Sequence, residues 1–247
     1  MSHQRPQLTN SPPLRIAHRG ASAEAPENTL AAFARALALG ADGLELDVRV
    51  TRDGVPVVIH DATLIRLTGR RGTVARLALA DLRVARVRGE PIPTLPEVLA
   101  LVRRRAVVQI EIKPGVPVAP VVRAVRQARA GNAAILASFA AATLAEARAL
   151  APRVARMWIR ERGTPGRLHP RLAALAAAGV SLDHRAIPSP EFVAALHRRG
   201  WRVWCWTVND PSAMRRLADW GVDAILSDNP ALLISTLSPS NGAGRTP

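Results

Sequence analysis

The sequence predicts a single (β/α)₈ TIM barrel with a short insertion after the second strand region. Short runs rich in Val, Ile and Leu alternate along the chain with alanine-rich segments of helical composition. This alternation favours a parallel sheet whose strands are joined by crossover helices. Roughly eight such β/α units are present, which is the number that closes a barrel. The length of 247 residues is also usual for one barrel domain.

Short apolar runs bounded by turn residues indicate the strands, and longer segments indicate the helices. The predicted strands are Leu14–Ala17, Gly43–Val48, Val55–Ile59, Ala106–Ile112, Ala133–Ala137, Val154–Trp158, Val180–Leu182, Trp201–Trp206 and Val222–Leu226. The predicted helices are Thr29–Leu39, Leu95–Arg103, Val118–Ala130, Ala140–Leu150, Leu168–Ala178, Pro190–Arg198, Pro211–Trp220 and Pro230–Leu237. An open doubly wound sheet is the alternative, but His18-Arg19-Gly20 follows the first strand in place of a Gly-rich dinucleotide loop.

The barrel domain is predicted to span residues 14–236. Residues 1–13 and 237–247 are rich in Pro, Ser, Gly and Asn, which predicts a flexible tail at each end. The N-terminal segment has no apolar run of the signal-peptide type, and no stretch is apolar for long enough to span a bilayer. These features predict a cytoplasmic protein without stable membrane insertion.

A formal net charge of +15 raises the question of an anionic partner such as nucleic acid. The basic residues are spread along the chain, however, and 33 of the 34 are arginine. A general replacement of lysine by arginine explains this pattern, so we expect solvated surface charge and no nucleic-acid partner. Lys113, the only lysine in the sequence, then indicates a position that needs a compact ammonium group.

Cys205 is the only cysteine in the sequence, which excludes an internal disulfide and a cysteine metal cluster. A chain without disulfides fits a reducing compartment. Cys205 alternates with Trp204 and Trp206, so it is expected to face the other side of its strand as a small buried residue.

Three acidic residues interrupt predicted strands that are otherwise apolar. Glu45 and Asp47 are two residues apart, so both side chains point to the same face of their strand. Adjacent buried carboxylates repel each other unless a cation or a proton lies between them. With Glu111 they make three hard oxygen ligands, a set that suits Mg²⁺ or Ca²⁺ better than zinc. A group of ion-paired or solvent-facing acids is the alternative.

Two histidines end predicted strands, His18 after the first and His60 after Val55–Ile59. Catalytic groups in a barrel lie at the C-terminal ends of strands, and a histidine can donate or accept a proton near neutral pH. A lone histidine is more often structural, but these two share the predicted barrel mouth with three acids. The remaining histidines lie in a tail, in loops or on a helix and are expected to be incidental: His3, His169, His184 and His197.

Arg19 and Lys113 add positive charge beside the acids. A phosphodiester that gains negative charge in its transition state needs such donors. Neutralisation of the carboxylates is the alternative role for both cations.

Nine short motifs occur in order around these residues. They are Ile16-Ala17-His18-Arg19-Gly20, Pro26-Glu27-Asn28-Thr29, Gly40–Val48 with Glu45 and Asp47, Thr51-Arg52-Asp53-Gly54, Val58-Ile59-His60-Asp61, Ile92-Pro93-Thr94-Leu95, Glu111-Ile112-Lys113, Trp206-Thr207-Val208-Asn209 and Ser227-Asp228-Asn229-Pro230. In this order they resemble the motifs of the glycerophosphodiester phosphodiesterase family, from about His18 to Pro230. A single motif would be weak evidence, whereas so many in order are specific. Ser227 stands where the family usually has threonine, and it keeps the hydroxyl group.

The resemblance implies a divalent metal, Mg²⁺ or Ca²⁺, and hydrolysis of a small-molecule glycerophosphodiester to an alcohol and glycerol 3-phosphate. It also implies a role for each candidate residue. The implied site consists of the acid–base pair His18 and His60, the phosphate contacts Arg19 and Lys113, the metal ligands Glu45, Asp47 and Glu111, and the supporting residues Glu27 and Asp61.

Three further expectations concern the edges of the implied site. The insert, residues 62–91, is short and arginine-rich, which leaves little room for a lid over a large alcohol group. Trp206 is expected to contact the glycerol moiety, with an aromatic cap on the barrel core as the alternative. Asp228 is expected to cap the last helix rather than to take part in chemistry.

The nucleophile and the class of diester stay open at this level. The nucleophile is either water or the glycerol 2-hydroxyl, which would give a cyclic phosphate that water then opens. A lysophospholipase D that acts on lipid diesters is the alternative enzyme. A non-enzymatic, basic nucleic-acid-binding protein ranks far below, because it leaves the clustered acids unexplained. The sequence also leaves the oligomeric state open.

Overall fold

Eight parallel strands close into a barrel, as predicted. The structure is a computed structural model, which describes residues 12–103 and 105–238. In chain order the strands are β1 Leu14–His18, β2 Gly43–Val50, β3 Pro56–Val58, β4 Arg86–Val87, β5 Glu90–Pro91, β6 Val107–Ile112, β7 Ala134–Ser138, β8 Ala155–Arg160, β9 Gly179–Asp183, β10 Arg202–Trp206 and β11 Ala224–Ser227. The barrel order is β1-β2-β6-β7-β8-β9-β10-β11, and β1 closes it by pairing with both β2 and β11. The C-terminal ends of these strands therefore meet at one mouth.

Helices surround the barrel and connect its strands. In the described residues they are α1 Leu30–Ala38, α2 Ile65–Thr68, α3 Leu79–Leu82, α4 Leu95–Val102, α5 Val118–Gln127, α6 Ala141–Leu150, α7 Pro165–Ala174, α8 Pro190–His197, α9 Pro211–Asp219 and α10 Pro230–Leu237. All but α2 and α3 alternate with barrel strands. Thr29 Oγ1 caps α1 by accepting a hydrogen bond from Ala32 N (3.2 Å), and Thr94 forms a capping box with Glu97 at α4. Helices α7 to α10 each begin with proline, whose missing N–H costs nothing at that position.

One helix lies elsewhere than predicted. The sequence indicated Leu168–Ala178, whereas α7 begins at Pro165 and ends at Ala174. Pro165 starts the helix because its fixed φ suits the first helical position. Ala176 adopts a left-handed backbone conformation (φ 45°). The chain therefore leaves the helix early and turns toward β9.

Side chains of the barrel strands alternate between two apolar layers. Ile16, Met157, Trp204 and Leu226 belong to the layer inside the barrel. The opposite faces of the strands pack under the helices. Cys205 is fully buried in this outer layer, although it follows Trp204 directly. The predicted alternation along β10 is therefore confirmed.

The predicted strand Val55–Ile59 is not a barrel strand. Its central part, β3, pairs antiparallel with β2. The chain reverses at Gly54, which has a left-handed φ of 79°. Ile59 N then donates a hydrogen bond to Asp47 O (2.9 Å), at the level of the predicted metal ligands. His60 therefore reaches the barrel mouth through a hairpin rather than at the end of a barrel strand.

The insert that follows β3 has a small core of its own. It contains α2, the 3₁₀ turn Val74–Arg76, α3 and the β4–β5 hairpin. Leu64, Val74, Leu82 and Val87 are almost fully buried in this core. The arginine side chains of the insert are all exposed: Arg66, Arg70, Arg71, Arg76, Arg83, Arg86 and Arg88.

Residues 1–11 and 239–247, which make up most of the two predicted tails, lie outside the described residues. Helix α10 ends at Leu237, within one residue of the predicted end of the barrel domain. In the part of the chain that the structure describes, no helix is both long and apolar enough to cross a membrane.

Gly179 provides a test of the close strand packing in the barrel. A Cβ atom at this residue would lie 2.1 Å from the backbone oxygen of Arg202 on the neighbouring strand. We expect Gly179→Ala to lower the free energy of unfolding by about 1–3 kcal/mol or more, because the backbone of β10 must move. The measurement is the urea midpoint of unfolding.

Gly166 is the matched control, because a Cβ there meets no atom within 4 Å and the residue lies in helix α7. Gly166→Ala should leave the midpoint unchanged or raise the stability by up to about 1 kcal/mol. Equal midpoints for the two variants would contradict the packing described for β9 and β10.

Candidate active site

Four titratable strand residues lie side by side where β1, β2 and β6 end. Across the parallel strands His18 pairs with Glu45, and Asp47 pairs with Glu111. Glu45 is 2% exposed, Asp47 is 1% exposed and Glu111 is 8% exposed. One carboxylate oxygen from each lies within 4.8 Å of the other two. The barrel thus brings the predicted metal ligands together at its mouth.

The three carboxylates of this cluster are buried and close to one another. Burial and the charge of Asp47 raise the pKa of both Glu45 and Glu111. Burial also opposes ionisation of Asp47, but the charges of Lys113 and Arg19 lower its pKa well below the usual range. A cation among these oxygens would stabilise the ionised form of all three acids. The set of buried, hard oxygen donors therefore fits a divalent metal ion.

Lys113 lies within the carboxylate cluster. Its Nζ is 2.6 Å from Asp47 Oδ1 and 2.5 Å from Glu111 Oε1. The residue is only 6% exposed, and burial opposes its positive charge, but the two carboxylates raise its pKa above the usual value. These contacts correspond to the neutralising role that the sequence left open for this lysine.

Arg19 makes contacts with three acids from a strained turn. Its backbone N donates to Glu45 Oε2 (3.2 Å), its Nη1 donates to Glu27 Oε1 (3.0 Å), and its Nε lies 3.2 Å from Asp47 Oδ2. The backbone of Arg19 is left-handed (φ 56°), a conformation that costs a non-glycine residue about 1–3 kcal/mol. Gly20 continues the turn, and a Cβ there would lie 2.7 Å from Ala32. The turn after β1 thus directs both the amide and the guanidinium of Arg19 toward the acids.

An aspartate from the far end of the chain contacts His18. Nδ1 of His18 lies 2.7 Å from Asp228 Oδ1. Ser22 Oγ donates to the same oxygen (3.1 Å), and Asn209 Nδ2 donates to Asp228 Oδ2 (2.7 Å). Burial opposes protonation of His18, but the hydrogen bond to Asp228 and the charge of Glu45 together raise its pKa above the usual value.

The prediction that Asp228 caps the last helix is wrong. Asn229 is the cap, because its Oδ1 accepts a hydrogen bond from Leu232 N (3.0 Å). Asp and Asn are both good N-cap residues, so adjacent candidates cannot be separated by type. The position of β11 beside β1 decides between them, because it brings the carboxylate of Asp228 to the ring of His18.

His60 is oriented by contacts with its ring and with its backbone. Nδ1 of the ring lies 2.7 Å from Asp61 Oδ1. Arg49 Nε donates to the backbone oxygen of His60 (2.9 Å). The side chain of His60 is 36% exposed, compared with 16% for His18. Each of the two predicted catalytic histidines thus has an aspartate at Nδ1.

The loop after β1 contributes two further side chains. Glu27 accepts hydrogen bonds from Arg19 and from both terminal nitrogens of Arg66 (3.0 and 2.8 Å). Asn28 is 2% exposed and donates from Nδ2 to Asp47 Oδ2 (2.8 Å), while its Oδ1 accepts from Asp47 N (3.2 Å). The left-handed backbone of Asn28 (φ 60°) allows this double contact.

Trp206 lies at the end of β10 and packs on the inner layer of the barrel. Its Nε1 donates to Ser181 O (3.2 Å), and its ring meets Phe139 edge to face at 5.8 Å. These contacts correspond to the alternative of an aromatic cap on the core. The ring remains partly exposed at the mouth.

A cleft of about 610 Å³ opens beside His18 and Arg19. Glu27, Asn209 and Asp228 also line it. Binding sites for small molecules are commonly clefts of a few hundred cubic ångströms with a few converging polar groups. The cleft therefore offers a small polar substrate direct access to His18.

Sequence reasoning missed three residues of the site. Asn28 and Asp228 belong to motifs that the sequence showed, but their partners lie on other strands. Arg66 contacts both Glu27 and Asp61, but the sequence does not distinguish it from the other arginines of the insert. A buried acid needs hydrogen-bond donors. That requirement was the one feature of the sequence from which further donors in the site could have been predicted.

Comparison with known proteins decides the family. The model of the glycerophosphoryl diester phosphodiesterase family matches residues 18–232. The chain belongs to this family. A glycerophosphodiester phosphodiesterase from Caldanaerobacter subterraneus subsp. tengcongensis is 36% identical over 234 residues, which cover 89% of this chain and 96% of the relative.

Solved structures of phosphodiesterases resemble the whole barrel. An Oleispira antarctica phosphodiesterase in complex with the product sn-glycerol-3-phosphate matches with a TM-score of 0.87 and 30% identity, over 92% of this chain and 98% of that one. A glycerophosphodiester phosphodiesterase from Agrobacterium tumefaciens matches with a TM-score of 0.80 and 31% identity, over 89% and 98%. The predicted family and barrel fold are therefore confirmed. The chain is an enzyme of the phosphodiesterase class, and it hydrolyses glycerophosphodiesters.

The contact between His18 and Asp228 can be tested by titration. We expect Asp228→Asn to lower the pKa of His18, because the variant removes the negative charge that favours the protonated ring. NMR of the imidazole resonances in metal-free protein measures this pKa. Because the folded-state pKa is raised, the interaction stabilises the fold fully below the unfolded pKa and is lost as pH rises through the folded pKa.

Ser22→Ala is the control for this titration, because it removes a neutral donor to Asp228 and leaves the charge in place. The pKa of His18 should change less in Ser22→Ala than in Asp228→Asn. An unchanged pKa in Asp228→Asn would show that this aspartate does not stabilise the protonated ring.

Proposed function

We propose that His18 and His60 are the acid–base pair with which this enzyme cleaves glycerophosphodiesters to an alcohol and glycerol 3-phosphate. The observation that carries the proposal is that each ring has an aspartate at Nδ1, at 2.7 Å in both cases. A carboxylate at Nδ1 favours a proton on that nitrogen, which leaves Nε2 of the neutral ring as the acceptor. One histidine takes the proton of the attacking hydroxyl, and the other donates a proton to the leaving alcohol.

The two histidines have different surroundings. The raised pKa of His18 favours its protonated form. His60 has the more exposed side chain of the two. We assign the general acid to His18 on the basis of its raised pKa, and His60 is then the general base. The relative bound to sn-glycerol-3-phosphate supports the proposed product.

Glu45, Asp47 and Glu111 are the proposed ligands of a divalent metal, Mg²⁺ or Ca²⁺. The three buried carboxylates supply hard oxygen donors. The pKa values of Glu45 and Glu111 are raised, and a bound cation would lower them by stabilising the ionised carboxylates. When bound, such a metal supplies Lewis-acid stabilisation of charge on phosphate oxygens. Asn28 orients Asp47 for this role by two hydrogen bonds.

Arg19 and Lys113 are the proposed phosphate contacts. Both cations lie against the carboxylate cluster, so a phosphodiester bound there meets positive charge from either side chain. Arg19 can offer two parallel N–H donors to phosphate oxygens, whereas Lys113 acts as a point charge. Trp206, next to Phe139 at the mouth, is the proposed apolar contact for the glycerol carbons.

The proposed partner is a small-molecule glycerophosphodiester rather than nucleic acid, and the proposed location is the cytoplasm. A cleft of about 610 Å³ beside His18 suits such a molecule. Cys205, the one cysteine of the sequence, is fully buried as a free thiol, which fits a reducing compartment.

Replacement of the histidines tests the acid–base pair. His18→Ala and His60→Ala should each lower kcat by roughly 10²–10⁴-fold, because each removes a proton donor or acceptor. Release of glycerol 3-phosphate from glycerophosphocholine measures the rate, and circular dichroism checks the fold.

His197→Ala is the matched control, because His197 Nε2 also pairs with an aspartate, Asp223 (2.8 Å), but away from the barrel mouth. It should retain the rate of the parent enzyme. Retention of full activity by either His18→Ala or His60→Ala would remove that residue from the mechanism.

Chelation and one carboxylate variant test the metal. Excess chelator should abolish the release of glycerol 3-phosphate, and Mg²⁺ or Ca²⁺ should restore it. Glu111→Gln should weaken metal binding in calorimetry, because a neutral amide is a poorer ligand than a carboxylate. Glu146→Gln, a change at an exposed glutamate on α6, should leave metal binding unchanged. Full activity in excess chelator is the result that rejects the metal.

A further inference from the structure

Arg66 connects two acids that contact different parts of the proposed catalytic apparatus. It lies on α2, the first helix of the insert. Its Nε and Nη2 donate to Asp61 Oδ2 and Oδ1 (2.6 and 3.0 Å), and its Nη1 and Nη2 donate to Glu27 Oε2 and Oε1 (3.0 and 2.8 Å). One planar guanidinium thus makes paired hydrogen bonds with two carboxylates, an arrangement that only arginine provides.

The oxygens that Arg66 Nη2 binds are the same ones that orient the site. Asp61 Oδ1 also lies 2.7 Å from His60 Nδ1, and Glu27 Oε1 also accepts from Arg19 Nη1 (3.0 Å). A single nitrogen therefore links the contact partner of His60 to the contact partner of Arg19. These shared contacts restrain both acids through one guanidinium.

We propose that Arg66 is a positioning residue that fixes His60 and Arg19 relative to each other through Asp61 and Glu27. The inference rests on the proposed roles of His60 as a proton acceptor and Arg19 as a phosphate contact. Arg66 does not itself contact the substrate in this proposal. Arg66 sets the distance between His60, which accepts the proton, and Arg19, which binds the phosphate. Catalytic rates are sensitive to this distance.

Charge supports this role. Glu27 and Asp61 approach the same guanidinium, so without it two negative charges would face each other at the edge of the mouth. The hydrogen bonds from Arg66 lower the pKa of Asp61 below its usual range, and they offset the effect of burial on Glu27. Both acids stay ionised, as their hydrogen bonds to His60 and Arg19 require.

Exposure separates positioning from folding. The side chain of Arg66 is 45% exposed, and exposed ion pairs contribute little to stability. α2 is a single turn whose neighbour Leu64 already anchors the chain in the core of the insert. Loss of Arg66 should consequently disturb the site more than it disturbs the fold.

Arg83 provides a matched control in the same insert. Its Nη2 pairs with Glu97 Oε1 at 2.8 Å, and its side chain is 43% exposed. This ion pair therefore resembles that of Arg66 in length and exposure. Glu97 forms the capping box of α4 with the N-cap residue Thr94, so the Arg83 pair serves the scaffold.

The test compares Arg66→Gln with Arg83→Gln in steady-state hydrolysis of glycerophosphocholine. We expect Arg66→Gln to lower kcat by roughly 10- to 100-fold, the usual range for loss of a supporting contact. We expect Arg83→Gln to keep the kcat of the parent enzyme, and both variants to have similar urea midpoints. Arg66→Lys should recover only part of the rate, because one ammonium cannot make paired hydrogen bonds with two carboxylates.

Two further measurements separate positioning from a general structural effect. Millimolar guanidinium should raise the rate of Arg66→Ala and leave the rate of Arg83→Ala unchanged. The Arg66→Gln change should also cost less in an Asp61→Asn background, because the link to His60 is already broken there. Equal kcat values for Arg66→Gln and Arg83→Gln, with His60→Ala inactive, would overturn the proposed role of Arg66 and leave the proposed function intact. An active His60→Ala would instead overturn the proposed function on which it rests.

Discussion

Burial of three carboxylates at one end of the barrel is the constraint on which the rest of the site depends. Glu45, Asp47 and Glu111 are brought together by the register of β2 and β6, and together they are almost inaccessible to water. Ionised acids in such a place need cations or hydrogen-bond donors, or their pKa values rise. Lys113 and Arg19 supply cations here, while burial and the charge of Asp47 still raise the pKa of Glu45 and Glu111, an effect that a bound metal would oppose.

The unusual backbone of the first loop follows from the same need. Arg19 and Asn28 both adopt left-handed conformations, and both contact Asp47, one by a guanidinium and the other by an amide. Such strain persists only where the surrounding structure over-determines it, and here the buried acids do so. At Arg19 the loop is therefore shaped by the charges it has to satisfy, whereas asparagine adopts the left-handed conformation readily at Asn28.

The site also depends on an element outside the repeating barrel. The β2–β3 hairpin returns the chain so that His60 lies at the mouth, and the insert that follows adds Arg66, which links Glu27 to Asp61. The sequence indicated only that this short, arginine-rich insert leaves little room for a lid over a large alcohol group. Its contacts with the acids beside His60 and Arg19 instead make it part of the framework that orients them.

The sequence by itself predicted the barrel, most of its elements and the group His18, Glu45, Asp47 and Glu111, because strand periodicity and strand ends are local properties of the chain. It placed His60 in the same group as the end of a barrel strand, whereas a hairpin brings it there. It did not determine that β3 runs antiparallel, where α7 begins and ends, or that Asp228 contacts His18 instead of capping α10. His18 and Asp228 are 210 residues apart. Only closure of the barrel between β1 and β11 brings them together, so tertiary structure alone could decide that partnership.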